Sequence, residues 1–241
     1  MIPKKIHYCW FGGNPLPASA KKCIESWKKY LPDFEIKEWN EKNFDVNSHP
    51  YAKMAYEKRR WAYLSDVVRL IVVEREGGFY FDTDVELVRR PEELLDPAPT
   101  QLTTTQATIT AWFGWETKEY INTGLGFAAE AHHPAVKAML GMYENLTEIK
   151  GCPQLNTEAL LACGLKTNGE RQKVLESEIL PRDWMCPYND LTGVMKKTEN
   201  TFSIHWFTKS PHGKMAYYRC KVTQVWHRMQ EMLGIRNYGS R

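Results

Sequence analysis

The segment Gly77-Gly-Phe-Tyr-Phe-Asp-Thr-Asp84 constrains this chain more than any other. Upstream of it, Trp61 to Glu76 reads as a helix rich in Val, Leu and Ile, and Gly77 stands where a left-handed residue closes a helix. Phe79-Tyr-Phe81 then reads as a short buried strand that runs directly into Asp82-Thr-Asp84. Residues two apart on an extended backbone point the same way, so Asp82 and Asp84 converge on one side. The C-terminal end of such a strand is where open α/β sheets place their ligand crevice. Two carboxylates without a neighbouring lysine repel each other, and a hard divalent cation relieves that. Oxygen ligation suits Mg²⁺ or Mn²⁺, which also take phosphate oxygens. A solvated acidic turn is the competing reading of the same residues.

The flanking sequence supplies an α/β frame. Lys5-Ile-His-Tyr-Cys-Trp10 predicts a first strand, and Phe11-Gly-Gly-Asn-Pro15 the loop that ends it. Ala20, Cys23, Ile24, Trp27 and Leu31 recur with helical period, so a helix is expected from about Ala18 to Leu31. Phe34 to Trp39 alternates as a second strand. Further strands are expected between Thr100 and Phe127 and at Phe202–Phe207, with helices at Pro134–Leu146 and Gln154–Cys163. A last helix, Met215 to Leu233, carries Tyr218, Val222, Val225, Met229 and Met232 on one stripe. With no repeat, low-complexity tract or linker, the expectation is one α/β domain over 1–241, with 215–241 as a helical extension.

Composition narrows the function classes. A net charge of +3 in 241 residues gives no concentrated basic face, so a nucleic-acid partner is not expected. The longest apolar run, Val67 to Val73, is broken by Arg69 and falls far short of the about 20 residues of a membrane span. Met1-Ile-Pro-Lys-Lys lacks the apolar core of a signal peptide, and the six cysteines show no paired spacing. A cytoplasmic protein with reduced thiols and no zinc is expected. Aromatic residues make up 12%, material for a core or for stacking on sugars and bases.

Beside the two aspartates, a few other residues can carry chemistry. Asp66 and Arg69 are i,i+3 neighbours and can pair, either as a surface ion pair or as a fixed grip on sugar hydroxyls. Trp10, followed by Gly12-Gly13, can stack on a base or fill the core. His205 in Phe202-Ser-Ile-His-Trp-Phe207 is a third metal ligand or a hydrogen-bonded core residue. Glu116 and Glu158 read as surface acids or as helpers in catalysis.

Taken together, Ile2 to Gly13, Ser65-Asp-Val-Val-Arg69, Gly77 to Asp84 and Ile121-Asn-Thr-Gly124 resemble glycosyltransferase family 32, the group with the DXD sugar-binding region. The large clostridial glucosylating toxins are more distantly similar. The resemblance runs from Ile2 to about Phe207. It implies a GT-A fold, a Rossmann-like central mixed sheet flanked by helices. It also implies a nucleotide-sugar donor, a divalent metal (Mn²⁺ or Mg²⁺) and retention of anomeric configuration. By the same resemblance Trp10 and Phe11 border the donor's base, Asp66 and Arg69 grip the donor sugar, and Tyr80 lies near the nucleoside. Asp82 contacts ribose or sugar, Asn122 joins the donor site, and Asp84 with Asp82 and His205 holds the metal. Asp82, Asp84, Asp66 and Arg69 are thereby the catalytic set.

Where the family commonly closes the site with Gly-Ser-Trp, this chain reads Thr208-Lys-Ser-Pro211. Ser210 takes the donor role there, and Lys209 or Lys214 can neutralise phosphate. Family habit favours a uridine diphosphate hexose and an acceptor that is a saccharide, free or lipid-linked, in surface polysaccharide such as capsule. Ala111-Trp-Phe-Gly-Trp115 offers an aromatic acceptor platform. The last helix, with Lys214, Arg219, Lys221, His227 and Arg228 around its stripe, either packs on the core or lies on the anionic inner membrane face. Two other classes stand as alternatives: a metal-dependent nucleotide-sugar hydrolase or phosphodiesterase, which would also use Asp82 and Asp84, and a non-catalytic sugar-nucleotide-binding module, which would keep Trp10 and Arg69 but not need the aspartates.

Overall fold

A computed structural model describes residues 1–95, 109–208 and 213–235, with the side chains of the last stretch from residue 221 onward. Strand β1 (Lys5–Cys9) leads to helix α1 (Ala18–Tyr30), strand β2 (Glu35–Trp39), and helices α2 (Pro50–Glu57) and α3 (Trp61–Glu76). Then come β3 (Gly78–Tyr80), β4 (Val85–Leu87), α4 (Glu92–Leu95), β5 (Ala111–Gly114) and β6 (Phe127–Ala129). Helices α5 (Pro134–Gly141) and α6 (Cys152–Leu161), strands β7 (Gln172–Val174) and β8 (Ser177–Leu180), and the turn of helix α7 (Arg182–Met185) follow. Strand β9 (Ser203–His205) and helix α8 (Gly213–Met232) complete the order.

Seven strands form one sheet in the order β2-β1-β3-β6-β5-β8-β7. Strands β1, β2 and β3 are parallel, β6 runs against β3 and β5, β8 runs with β5, and β7 runs against β8. The C-terminal ends of β1, β3, β5 and β8 therefore share one edge, where α/β sheets seat ligands. This is the expected mixed α/β sheet flanked by helices. The core is aromatic: Trp27, Phe79, Phe81, Trp112, Phe113 and Phe127 are all buried. The proposed aromatic platform belongs to that core. Residues Ala111 to Trp115 are fully buried because β5 is an inner strand; Phe113 stacks on Phe127 at 5.5 Å and Trp112 meets Phe79 edge-on.

Local chemistry pins the start of β3. Gly77 has φ +63°, and a Cβ there would lie 2.8 Å from the Ala131 nitrogen and 2.9 Å from the Pro3 ring. His7 is buried in β1; Trp39 Nε1 donates to its Nδ1 at 3.0 Å, so the proton sits on Nε2, which donates to the Gly77 carbonyl at 2.8 Å. Burial lowers the His7 pKa, in keeping with this neutral ring.

A second, two-stranded ribbon pairs β4 with β9 antiparallel, with Val85 opposite His205. Trp27 of α1 donates to the Val85 carbonyl at 2.7 Å and Ser26 Oγ accepts from Leu87 N at 2.9 Å, so α1 clamps β4. Helix α8 also departs from one expectation. It rests on the body through Gln224, which donates to Tyr188 Oη at 3.1 Å and to the Asp190 carbonyl at 2.9 Å, and through His227 beside the Leu191 carbonyl. The described part of its apolar stripe faces outward rather than packing on the core. Among the described residues no helix is long and apolar enough to cross a membrane.

Candidate functional site

Helix α3 is apolar on nearly every side, yet it buries Asp66 and Arg69, the latter 2% exposed. The guanidinium bridges two carboxylates. Its Nη2 lies 2.9 Å from Asp66 Oδ1, 3.0 Å from Asp82 Oδ1 and 3.2 Å from Asp82 Oδ2. Nε donates to the Ser65 carbonyl at 3.1 Å, within the same helix. The pair is buried, so it is not the surface ion pair of the first reading. An ion triad buried this way needs all its members, because removing one leaves an uncompensated charge. Burial pushes Asp66 up to about 6 against the pull of Arg69.

Strand β3 delivers Asp82 to the same point. Tyr80 Oη donates to Asp82 Oδ1 at 2.8 Å, with the Arg69 guanidinium 5.0 Å over its ring. Tyr80 is wholly buried, so its side chain orients Asp82 from behind and offers no surface to a nucleoside. Phe11 is likewise turned into the core against Phe44, which leaves only its backbone at the sheet edge. Trp10 is half-buried at the end of β1, its indole nitrogen donating to the Asn14 carbonyl at 2.5 Å.

The Asn122 motif closes the far side. Its Oδ1 accepts from Gly124 N at 2.7 Å, and its Nδ2 donates to Glu116 Oε2 at 2.6 Å. A Cβ on Gly124 would sit 2.6 Å from Asp82 Oδ2 and 3.0 Å from Arg69 Nη1, so only glycine fits this approach. Of the two glutamates, Glu116 thus joins the site, whereas Glu158 is exposed and pairs with Gln154. Cys152 at the start of α6 was not anticipated. Its Sγ lies 3.3 Å from Asn122 Oδ1 and 3.8 Å from Arg69 Nη1, a tertiary contact with no local signature.

Asp84 and His205 meet through the β4–β9 ribbon. His205 Nε2 is 3.2 Å from Asp84 Oδ1, and Thr208 donates to Asp84 Oδ2 from its backbone N at 2.8 Å and its Oγ1 at 3.0 Å. Burial pushes the Asp84 carboxyl up, but His205 and Thr208 outweigh it and hold the group at about 2. His205 is buried and shifts upward because Asp84 outweighs the cost of burying its charge. One donor atom each from Asp82, Asp84 and His205 lies within 4.8 Å of the others, and His205 Nδ1 is buried with no partner. Two carboxylate oxygens and an imidazole nitrogen this close fit a divalent metal. Asp66, Arg69, Tyr80, Asp82, Asp84, Asn122 and His205 therefore form one contiguous network, with Trp10 on the same sheet edge. Ser210 and Lys209 lie outside the described residues, as do the side chain of Lys214 and the strand expected near residue 100.

Comparison with known proteins agrees with this geometry. Residues 17–101 match the family described as glycosyltransferase sugar-binding region containing DXD motif. That span includes Asp66, Arg69, Asp82 and Asp84. Among solved structures, the PaToxG glycosyltransferase is similar with a TM-score of 0.50 at 18% identity, over 67% of this chain and 69% of that one. A glycosyltransferase involved in the glycosylation of the major capsid of PBCV-1 aligns over 91% of this chain and 99% of its own, at 11% identity and a TM-score of 0.47. No curated protein matches the chain in sequence. Residues 17–101 thus carry a DXD-type sugar-binding region of the kind found in glycosyltransferases, set in a mixed sheet of GT-A type.

Proposed function

We propose that the chain is a retaining, metal-dependent hexosyltransferase. It moves a hexose from a nucleoside-diphosphate sugar, favoured as UDP-linked, to a saccharide or lipid-linked saccharide in surface polysaccharide synthesis. The observation that carries this reading is the meeting of Asp82, Asp84 and His205 donors within 4.8 Å, beside a buried Arg69. The imidazole favours Mn²⁺ over Mg²⁺, which prefers oxygen alone. A bound ion of this kind supplies Lewis-acid charge to a departing diphosphate.

The chain's own residues do the rest. Asp82 is aimed by Arg69 and Tyr80, so its free lone pairs are fixed toward donor hydroxyls. Arg69 in turn is held by Asp66 and cannot swing away, which keeps the grip preorganised. Trp10 borders the base. The acceptor hydroxyl then attacks the anomeric carbon as the C–O bond to the diphosphate breaks, and its proton leaves with the departing diphosphate.

A cavity of about 300 Å³ beside this edge supports an acceptor place. It is lined by Thr117 and Lys118 after β5 and by Pro181 and Arg182 after β8, with Lys196 and Glu231 at other points. Thr117 follows Glu116, so the cavity adjoins the Asn122 end of the network. The whole chain acts on this reading as one catalytic domain with a helical extension.

Nucleotide release from a panel of nucleotide sugars, with Mn²⁺, Mg²⁺ or chelator, tests the proposal. One donor should be hydrolysed slowly, with chelator and Asp84→Ala each lowering the rate on the order of 100-fold or more. Undiminished turnover by Asp84→Ala refutes the metal role. The anomeric configuration of a product made with the active donor, read by NMR, tests retention.

A further inference from the structure

Helix α8 is built the wrong way round for a helix that belongs only to a soluble core. Among its described side chains, Gln224 and His227 make polar contacts with the body. Its exposed side carries a row of large apolar residues: Val222 is 69% exposed, Val225 61%, Trp226 57%, Met229 48% and Met232 80%. These positions recur at i, i+3, i+4, i+7 and i+10, and Leu233, also exposed, extends the same stripe. By helical spacing, exposed Lys221 and Arg228 fall along one margin of that stripe, away from the apolar centre. Charge is concentrated here as well. Residues 213–241 hold six Lys and Arg (positions 214, 219, 221, 228, 236 and 241) against the single acid Glu231, a net +5. The whole chain is only +3, so the remaining residues sum to −2.

An apolar stripe edged by cations, on a segment far more basic than the rest of the chain, matches an interface with anionic lipid headgroups. A second copy of this chain would bring two such basic segments together, which like-charge repulsion opposes. We infer that α8 docks the protein on an anionic lipid bilayer, its stripe lying in the headgroup boundary without spanning the membrane. The inward side of the same helix contributes Glu231 to the cavity described above. Docking therefore sets that cavity at the membrane surface, where a lipid-linked acceptor presents its sugar. This last step rests on the proposed acceptor; the docking itself does not.

Flotation of the full chain with phosphatidylcholine vesicles, with and without phosphatidylglycerol, tests the inference. The unaltered protein should float with the anionic vesicles at low salt and remain in solution with the neutral ones. Val225→Ser/Trp226→Ser/Met229→Ser should abolish flotation, and Arg228→Gln should weaken partitioning about fivefold. Circular dichroism and solution nucleotide release should be unchanged in both variants, which separates lost docking from lost folding. No flotation of the unaltered protein, or equal flotation of the triple variant, overturns the inference. So does sedimentation showing that the triple variant turns a stable dimer into a monomer while vesicles bind neither. Failure of every donor in the release assay would sink the transferase reading and leave the flotation result standing.

Discussion

Helices α3 and α8 break the inside-out rule in opposite directions. Helix α3 buries an arginine and an aspartate among Val and Leu; α8 exposes Val, Trp and Met while a glutamine and a histidine hold it to the body. Each departure carries a free-energy cost in the isolated chain, from buried charge in one and wetted apolar surface in the other. The comparison teaches where the two costs are offset. In α3 the offset is internal, since Asp66, Asp82 and Tyr80 surround Arg69 and its neighbour within the fold. In α8 nothing among the described residues covers the stripe, and the offset must come from outside. The first helix is consequently a fixed part of the fold and the second a surface for another phase.

This contrast can be broken by substitution, beginning with the change of greatest effect. Arg69→Met leaves two carboxylates buried without their counter-charge and should lower stability by about 3–5 kcal/mol, seen as a fall in denaturation midpoint. A change no larger than a surface substitution would mean that α3's charges are not internally compensated. Gly124→Ala places a methyl against Asp82 and Arg69, and should cost about 1–3 kcal/mol while reducing donor turnover. Full activity with unaltered stability would show that the network tolerates a displaced Arg69.

The exposed end of α3 is the next, smaller test. Against the push of burial, Lys37 and Lys5 hold Glu76 down at about 2 from an ordinary value of 4.5, with contacts of 2.9 Å to each. That stabilisation is present above pH 4.5 and lost as pH falls from there toward 2, about 2 kcal/mol after solvent screening. Thermal melts of Glu76→Gln should therefore lie below those of the parent at pH 6 and converge with them near pH 2. Parallel curves across this range would show that the lysines do not hold Glu76. Last, Val225→Ser/Trp226→Ser/Met229→Ser should move stability by no more than about 0.5 kcal/mol. A larger loss by chemical denaturation would place the stripe in the core after all.

How far the molecule was legible depended on the range of the interactions. The turn from α3 into Asp82-Thr-Asp84 is specified within eight residues by glycine, a buried strand and alternation, and it was readable. The Asp66–Arg69 pair followed from helical spacing alone. Strand β8 went unrecognised because Ser177-Glu-Ile-Leu180 carries a glutamate, whose burial the packed sheet, Arg171 and Lys173 make tolerable. Helix α2, eight residues long and opening on Pro50, is too short for periodicity to declare. For α8 the stripe was legible but its direction was not, since a 3.6-residue period says which residues share a side and nothing about which side is wet. Tyr80 and Phe11 were assigned to the donor from their places in motifs; strand pairing and aromatic packing turned their side chains inward. Cys152 and Thr208 entered through contacts whose partners lie dozens of residues away.

The β4–β9 ribbon has a consequence for how the protein comes into being. Asp84 and Thr208, bonded at 2.8 Å, are 124 residues apart in the chain, so their meeting closes one of the longest loops in the molecule. Loop closure of this length is slow relative to helix and hairpin formation, and topology of this kind sets folding speed. As the chain emerges from the ribosome, the aspartates are made and their strand can pair long before His205 exists. The three-residue cluster therefore cannot assemble until β9 has been made and seats against β4.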